Sequence, residues 1–211
     1  MTAKLNTFNW IAPYYDTLKR VVFGKAIYNG QAHFIDAVPT YGNVLILGGG
    51  SGEILRLLRE THPECRIWFV EASDEMLRIA AERISPEGKA FVTFIHGTET
   101  SLPPEIMFDA TITNFFLDLF VDRRLASICC MIYSKLQPKA TWLVSDFVNG
   151  KKWWQRIMLR SMYGFFSIAC GIEARALPAW ESQVTSTGMV ESESKMFYGG
   201  FIKSAVYIKD V

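Results

Sequence analysis

A cluster of glycines directly after an apolar run is the first feature of the sequence that points to chemistry. Residues 44–47 (VLIL) lead into Gly48, Gly49 and Gly50, and Gly52 follows after one serine. Glycine loses more conformational freedom on folding than any other residue, so the cluster needs a reason. A loop without Cβ atoms between a strand and a helix lets a ligand approach the main chain and points backbone N–H groups at it. The cluster predicts a site for a nucleotide-like molecule.

An acidic residue stands at the separation that such a site requires. Glu71 ends the next apolar run, residues 66–71, and lies 19 positions after Gly52. A carboxylate at the end of the second strand accepts the ribose hydroxyls in nucleotide-binding folds. The dinucleotide fingerprint requires a third glycine at the position that Glu53 occupies, where the side chain would obstruct helix–strand packing and the charge would repel a pyrophosphate. The spacing therefore argues against NAD.

The elements that must position these residues alternate along the chain. Two helical segments, 8–23 and 27–38, come first, and apolar strand-like runs then alternate with helical patterns, which indicates an α/β fold with a doubly wound parallel sheet. Gly199 and Gly200 separate two further strand patterns and predict an antiparallel hairpin with a two-residue turn. The predicted strands are residues 43–47, 66–71, 90–95, 108–114, 141–147, 190–198 and 201–209, and the helices between them are 53–60, 73–84 and 122–136.

Composition limits the classes of function. The chain has 211 residues, of which 50% are hydrophobic and 20% are charged. Its formal net charge of +1 gives no electrostatic case for nucleic acid. The four cysteines have no metal-like spacing and are expected to be reduced thiols of a cytoplasmic protein. We read no signal peptide at the N-terminus, and the longest apolar stretch, residues 162–172, is too short to span a bilayer.

The pattern Gly48-x-Gly50-x-Gly52, together with Glu71, resembles motifs I and II of the class I S-adenosylmethionine-dependent methyltransferases. Residues 8–16 (FNWIAPYYD) resemble the N-terminal helix of the small-molecule branch that includes the ubiquinone and menaquinone methyltransferases. The resemblance covers almost the whole chain and implies a Rossmann-like seven-stranded sheet whose last strand is antiparallel. It implies a single domain over residues 1–211, with N-terminal helices at 6–38 and an acceptor-side helical insertion at 150–176.

The resemblance also implies the cofactor, S-adenosyl-L-methionine, and the residues that bind it. The glycine loop is expected to lie under the methionine and ribose parts of the cofactor, and Glu71 is expected to accept from the ribose hydroxyls. The residues expected around the adenine are Ala72, Met76, Thr98 and Glu99. The full set of expected binding residues is Tyr15, Gly48, Gly49, Gly50, Gly52, Glu71, Ala72, Met76, Thr98, Glu99, Asn114 and Phe115.

Methyl transfer from a sulfonium is an in-line displacement that depends mainly on alignment and on the exclusion of water. The sequence therefore assigns no catalytic residue. Asp118 and Asp146, near the ends of the fourth and fifth predicted strands, are candidate bases, but a surface or capping role is favoured for each.

The insertion carries basic residues at four-residue spacing, Lys152, Arg156 and Arg160, beside an apolar and aromatic side. Three interpretations stay open. The helix lines a pocket for an apolar or aromatic acceptor, it rests on a membrane surface, or it packs on the core with solvated basic residues. Membrane contact is the least favoured of the three.

The expected function is thus methyl transfer to a small apolar or aromatic acceptor. One alternative is a non-catalytic methyltransferase-like binding module, because Ile46 and Thr98 stand where the family often has acidic residues. A less favoured alternative is an aminopropyltransferase of the spermidine synthase type, whose glycine motif is similar.

Overall fold

The computed structural model describes residues 8–150, 152–172 and 174–210, which form one sheet of seven strands with helices on both faces. The strand order is β3-β2-β1-β4-β5-β7-β6, and β7 runs antiparallel to both of its neighbours while the other pairs are parallel. The predicted fold is confirmed. The strands are β1 Tyr41–Leu47, β2 Glu64–Glu71, β3 Val92–His96, β4 Phe108–Asn114, β5 Leu136–Phe147, β6 Met189–Phe197 and β7 Ile202–Lys209.

Alternate side chains of the central strands enter two separate apolar cores, because successive residues of a strand point to opposite faces. Leu45 and Trp142 pack against the helices on one face, and Ile46 and Phe69 pack against those on the other. The helices are α1 Ala12–Phe23, α2 Ala26–Ala32, α3 Glu53–Thr61, α4 Asp74–Glu82, α5 Pro86–Lys89, α6 Asp122–Lys135, α7 Trp153–Cys170 and α8 Trp180–Ser186.

Local signals in the sequence locate several boundaries well. Ser73 is the N-cap of α4 as predicted, with its hydroxyl accepting from the backbone N–H of Met76. Within α6 the predicted apolar face is buried, at Leu125, Ile128, Cys129 and Ile132. The four cysteines are free thiols, as expected.

Several details differ from the sequence prediction. The predicted helical segment 27–38 is α2 Ala26–Ala32 followed by a separate 3-10 turn, Ile35–Ala37. The hairpin closes through a four-residue loop, because Phe201 N donates to the Phe197 carbonyl and Tyr198 joins both glycines at positive φ. Strand β5 begins at Leu136, directly after α6, and not at residue 141. The one-turn helix α5 was not predicted. Residues 6, 7, 151 and 173 of the predicted helical segments lie outside the described residues.

The helices α1 and α7 cover the carboxyl end of the sheet. The rings of Phe8, just before α1, and Phe166, in α7, lie 6.3 Å apart between centroids. Along the described ranges, α7 and the other helices are all too short or too polar to cross a membrane.

Candidate functional site

A cavity of about 850 Å³ opens at the carboxyl edge of the parallel strands, where ligands bind in open α/β sheets. The last residues of three neighbouring strands line it, namely Leu47 of β1, Glu71 of β2 and Asn114 of β4. Gly52 is the one predicted binding residue that does not line this cavity. The predicted residues that do are Tyr15, Gly48, Gly49, Gly50, Glu71, Ala72, Met76, Thr98, Glu99, Asn114 and Phe115.

The glycines of the loop serve different purposes. A Cβ on Gly49 would lie 2.1 Å from the ring of Phe69, and one on Gly52 would lie 2.5 Å from Ala80 Cβ, so packing within the protein excludes larger residues at both. Gly50 is different, because its φ is +55° and an added Cβ would meet nothing within 4 Å. Gly50 is thus the glycine whose missing side chain leaves space in front of the loop.

Glu71 joins the glycine loop to the end of β2. Its Oε2 accepts from Gly50 N at 2.9 Å and its Oε1 from Ser73 N at 3.0 Å. Burial raises the pKa of this carboxyl above its ordinary value, although the backbone N–H groups around it act in the opposite direction. Each oxygen keeps a second lone pair, so the carboxylate can still accept from hydroxyl groups of a ligand.

Next to Glu71, the residues expected around the adenine also have local structural roles. Met76 is 2% exposed and fills space between α4 and the cavity. Thr98 caps the short 3-10 helix Glu99–Ser101, and the Glu99 carboxylate lies 3.5 Å from the guanidinium of Arg124. This wall of the cavity is therefore fixed before any ligand binds.

At the end of β4, buried polar atoms lack partners. Asn114 Nδ2 has no hydrogen-bond partner among the described residues, and neither has Gln31 Oε1 of α2, although both residues line the cavity. Phe115 follows with φ +52°, a left-handed conformation. Such a conformation costs a non-glycine residue about 1 kcal/mol or more. Unpaired buried polar atoms cost free energy, so this donor and this acceptor, although themselves shielded from solvent, are candidate partners for a polar ligand group.

Helix α1 is held over the loop by its charged residues. Asp16 accepts from the hydroxyl of Ser51 at 2.7 Å and pairs with Lys19 and Arg83, and Lys19 also lies 3.7 Å from Glu53. Burial alone would raise the pKa of Asp16, but the cations and the Ser51 hydroxyl outweigh it and lower the pKa below its ordinary value. This network keeps Tyr15 and Lys19 at the cavity wall.

Asp118 and Asp146 form a buried carboxyl pair, so of the two roles expected for them, surface or capping, the surface role is wrong for both. Asp146 Oδ2 accepts from the backbone N–H groups of Leu117 and Asp118. Asp146 therefore does have the predicted capping role, but at 0% exposure. Burial raises the pKa of Asp118 to about 7, and burial together with Asp118 raises the pKa of Asp146 well above its ordinary value.

A smaller cavity of about 50 Å³ adjoins the large one and contains Asp118 in its wall. Asp118 Oδ1 has no partner within the described ranges. Tyr15 and Phe115 line both cavities, and burial, followed by the charges of Asp118, Asp16 and Glu71, raises the pKa of Tyr15, which keeps its hydroxyl protonated. The rest of the lining is apolar or aromatic: Phe8, Leu119, Met162, Tyr163, Phe166 and Ile172.

Sequence motifs did not point to several of the residues that line the large cavity. Lys19 is one helical turn after Tyr15, and this i, i+4 spacing was the only available signal. Gln31 and Arg124 have no motif, and only the packing of α2 and α6 brings them to the cavity.

Comparison with known proteins agrees with this geometry. Residues 44–139 match the family model of the methyltransferase domain. This stretch of 96 residues out of 211 is similar to a methyltransferase domain, and the seven-stranded fold agrees with that similarity. A demethylmenaquinone methyltransferase from Thermotoga maritima is 30% identical over 123 residues, which are 57% of this chain and 52% of that protein. The chain thus spans about half the length of this curated relative.

Solved structures share the fold of the domain at low sequence identity. A chain from the complex between the Haloferax volcanii Trm112 methyltransferase activator and a methyltransferase superposes with a TM-score of 0.73 at 14% identity, covering 97% of this chain and 96% of that one. Human N-acetylserotonin methyltransferase, in complex with S-adenosylmethionine, gives a TM-score of 0.63 at 16% identity over 95% of this chain and 56% of its own.

The glycine loop generates a paired stability prediction. Gly49→Ala is expected to lower the free energy of unfolding by about 3 kcal/mol, because its methyl group overlaps the Phe69 ring. Gly50→Ala adds only the left-handed backbone cost of about 1 kcal/mol, since its methyl group enters open space. Urea unfolding of both variants measures the difference, and equal losses would contradict the described loop geometry.

The carboxyl pair generates a pH prediction. Folded Asp118 binds a proton below pH 7, whereas the unfolded side chain does so only below about 3.9, so the native state holds more protons between these values. Stability should fall by roughly 2 kcal/mol as the pH rises from about 5 to about 8. Asp118→Asn mimics the protonated form and should reduce this slope, with Asp146 still contributing through its own burial, while Asp36→Asn, at an exposed carboxylate, should leave the slope as it is. Denaturation at several pH values tests this, and an unchanged slope in Asp118→Asn would disprove the assignment.

Proposed function

We propose that the protein transfers a methyl group from S-adenosylmethionine to a small apolar or aromatic acceptor. The observation that carries the proposal is the hydrogen bond between Gly50 N and the buried Glu71 carboxylate at the wall of one large cavity. It combines a backbone open to close approach with an acceptor for ribose hydroxyls, and these are two independent requirements of a nucleoside ligand.

The polar atoms without partners support an amino-acid-bearing nucleoside over a simple one. Asn114 Nδ2 is a donor suited to a carboxylate, and Gln31 Oε1 is an acceptor suited to an ammonium group. The methionine part of S-adenosylmethionine carries both groups. We assign the adenine to the side formed by Ala72, Met76 and Thr98, which line the same cavity.

When bound, S-adenosylmethionine supplies a methyl group that its sulfonium charge activates for in-line displacement by a nucleophile. The residues of the chain have the tasks of aligning the acceptor and excluding water. Tyr15 and Phe115 stand between the two cavities and would separate the cofactor from the acceptor side. Asp118, with a pKa of about 7 and an Oδ1 that has no hydrogen-bond partner among the described residues, would accept a hydrogen bond or a proton from the acceptor.

The apolar lining of the smaller cavity supports an apolar acceptor, whose ring would have to extend into the large cavity because the smaller one measures only about 50 Å³. Apart from Asp118, its residues are aliphatic or aromatic, or carry a sulfur atom. The Thermotoga relative is named for a quinone acceptor, demethylmenaquinone, which belongs to the same chemical class. Two alternatives are a binding module without turnover and, with less support, an aminopropyltransferase.

Calorimetric titration with S-adenosylhomocysteine tests the proposal. The folded protein should bind one equivalent, and Glu71→Gln should weaken binding by about 10- to 100-fold through the lost charged hydrogen bonds to the ribose. Glu75→Gln is the matched control, because Glu75 lies on the nearby helix α4 and pairs with exposed Arg78.

Each alternative has a distinct outcome in the same experiment. Absence of binding in a folded wild-type protein would contradict the proposal, and binding that Glu71→Gln leaves unchanged would contradict the assigned site. Tight binding without turnover on any ring-bearing acceptor would favour the binding module, and turnover with decarboxylated S-adenosylmethionine and a polyamine would favour the aminopropyltransferase.

A further inference from the structure

Exposed apolar side chains concentrate on two segments of the chain. Fifteen large apolar residues are exposed in the described ranges, and nine of them lie between residues 10 and 22 or between residues 153 and 168. We name these nine residues the apolar face: Trp10, Tyr14, Leu18, Val21, Val22, Trp153, Ile157, Phe165 and Ile168.

Helix α1 places its charged and apolar residues the opposite way round from an ordinary surface helix. Its charged residues Asp16 and Lys19 face the protein, where they bind Ser51, Arg83 and Glu53. Its apolar residues recur at helical spacing on the outer side, at Tyr14, Leu18, Val21 and Val22. Among them Val21 is 78% exposed. A surface helix normally buries its apolar stripe and solvates its charges, so an exposed stripe of this kind marks a candidate contact surface.

Helix α7 presents a second apolar stripe of the same kind. Trp153, Ile157, Phe165 and Ile168 are separated by 4, 8 and 3 residues and so share one side of the helix. Trp153 is 71% exposed and Ile168 is 91% exposed. Arg156 and Arg160 lie beside the stripe, and the sequence of α7 contains no acidic residue.

The exposed charges on the two helical segments are also almost all positive. Five basic residues are exposed between positions 12 and 25 or between 152 and 170, whereas Asp16 is the one acidic residue in these two ranges, and it pairs inward. The net charge of the whole chain is only +1, so this basic character is local. The exposed basic residues are Arg20, Lys25, Lys152, Arg156 and Arg160.

We propose that the apolar face docks on the surface of an anionic phospholipid bilayer. Basic side chains beside exposed aromatic and aliphatic ones match the interface of such a membrane, where acyl chains bury the apolar groups and phosphates neutralise the cations. A second copy of the chain is disfavoured as the occupant, because a symmetric contact through the same face would bring the two sets of basic residues together.

The position of the face connects it to the cavity. Ile168 belongs to both the face and the cavity lining, and α1 contributes Tyr15 and Lys19 to the lining from its inner side. A bilayer on this face would lie beside the cavity entrance, so an apolar acceptor could enter without crossing water. This statement about the acceptor rests on the proposed function, whereas the docking itself does not.

Co-sedimentation of the full chain with vesicles tests the docking without cofactor or turnover. Vesicles of phosphatidylglycerol and phosphatidylcholine should bind the protein, and pure phosphatidylcholine should bind it about tenfold more weakly. The triple variant Val21→Ser, Trp153→Ser, Ile157→Ser should lose about tenfold or more of the binding to anionic vesicles. A control triple at comparably exposed residues elsewhere, Tyr41→Ser, Val190→Ser, Met196→Ser, should bind as the wild type does.

A second pair of variants separates the charge contribution. Arg156→Gln with Arg160→Gln should weaken anionic binding and its salt dependence, whereas Arg66→Gln with Arg123→Gln, also exposed, should not. Equal loss in the test and control triples, or no vesicle binding at all, would overturn the proposal.

A concentration-dependent dimer in sedimentation velocity that the test triple abolishes would instead assign the face to a second copy. A monomer that binds no vesicles would leave a protein partner as the occupant and would equally overturn the proposal. Because S-adenosylhomocysteine titration of the same variants reports on the cavity, failure of docking and failure of the proposed function can be told apart.

Discussion

The hydrogen bonds that Gly50 and Ser73 donate to the buried Glu71 carboxylate are the interaction on which the rest of the site depends. A buried carboxylate is costly unless hydrogen bonds satisfy it, and here the backbone of two separate loops does so. The same bonds fix the distance between the loop after β1 and the end of β2. The large cavity has its shape because these two loops cannot move apart without leaving the Glu71 charge unsatisfied.

Charge placement in α1 connects this loop to the outer surface of the protein. Asp16 and Lys19 hold the helix by ion pairs and by the Ser51 hydroxyl, which belongs to the glycine loop itself. Since Asp16 and Lys19 occupy the inner side of α1, its apolar residues lie on the outer side. The inner side of α1 thus covers the cavity, while its outer side forms the α1 part of the apolar face, so a substitution on one side should affect the other.

Local patterns in the sequence were sufficient for the fold and for most of the cavity wall. The glycine loop, Glu71 and the end of β4 follow directly from strand ends in a parallel sheet, so their meeting could be predicted without coordinates. Gly52 could not be separated from the other glycines, because its close approach to Ala80 depends on how α3 packs against α4. The burial of Asp118 and Asp146 depends likewise on the packing of α7 and α1 over the sheet, which no local pattern encodes.

A crystal structure of the protein with S-adenosylhomocysteine would test the central claim most directly. The account predicts the ribose hydroxyls on the Glu71 carboxylate in front of Gly50, with the amino-acid end of the ligand at Asn114 and Gln31. A ligand bound away from Glu71, or a structure in which Asn114 Nδ2 and Gln31 Oε1 stay without partners while the ligand occupies another cavity, would contradict it.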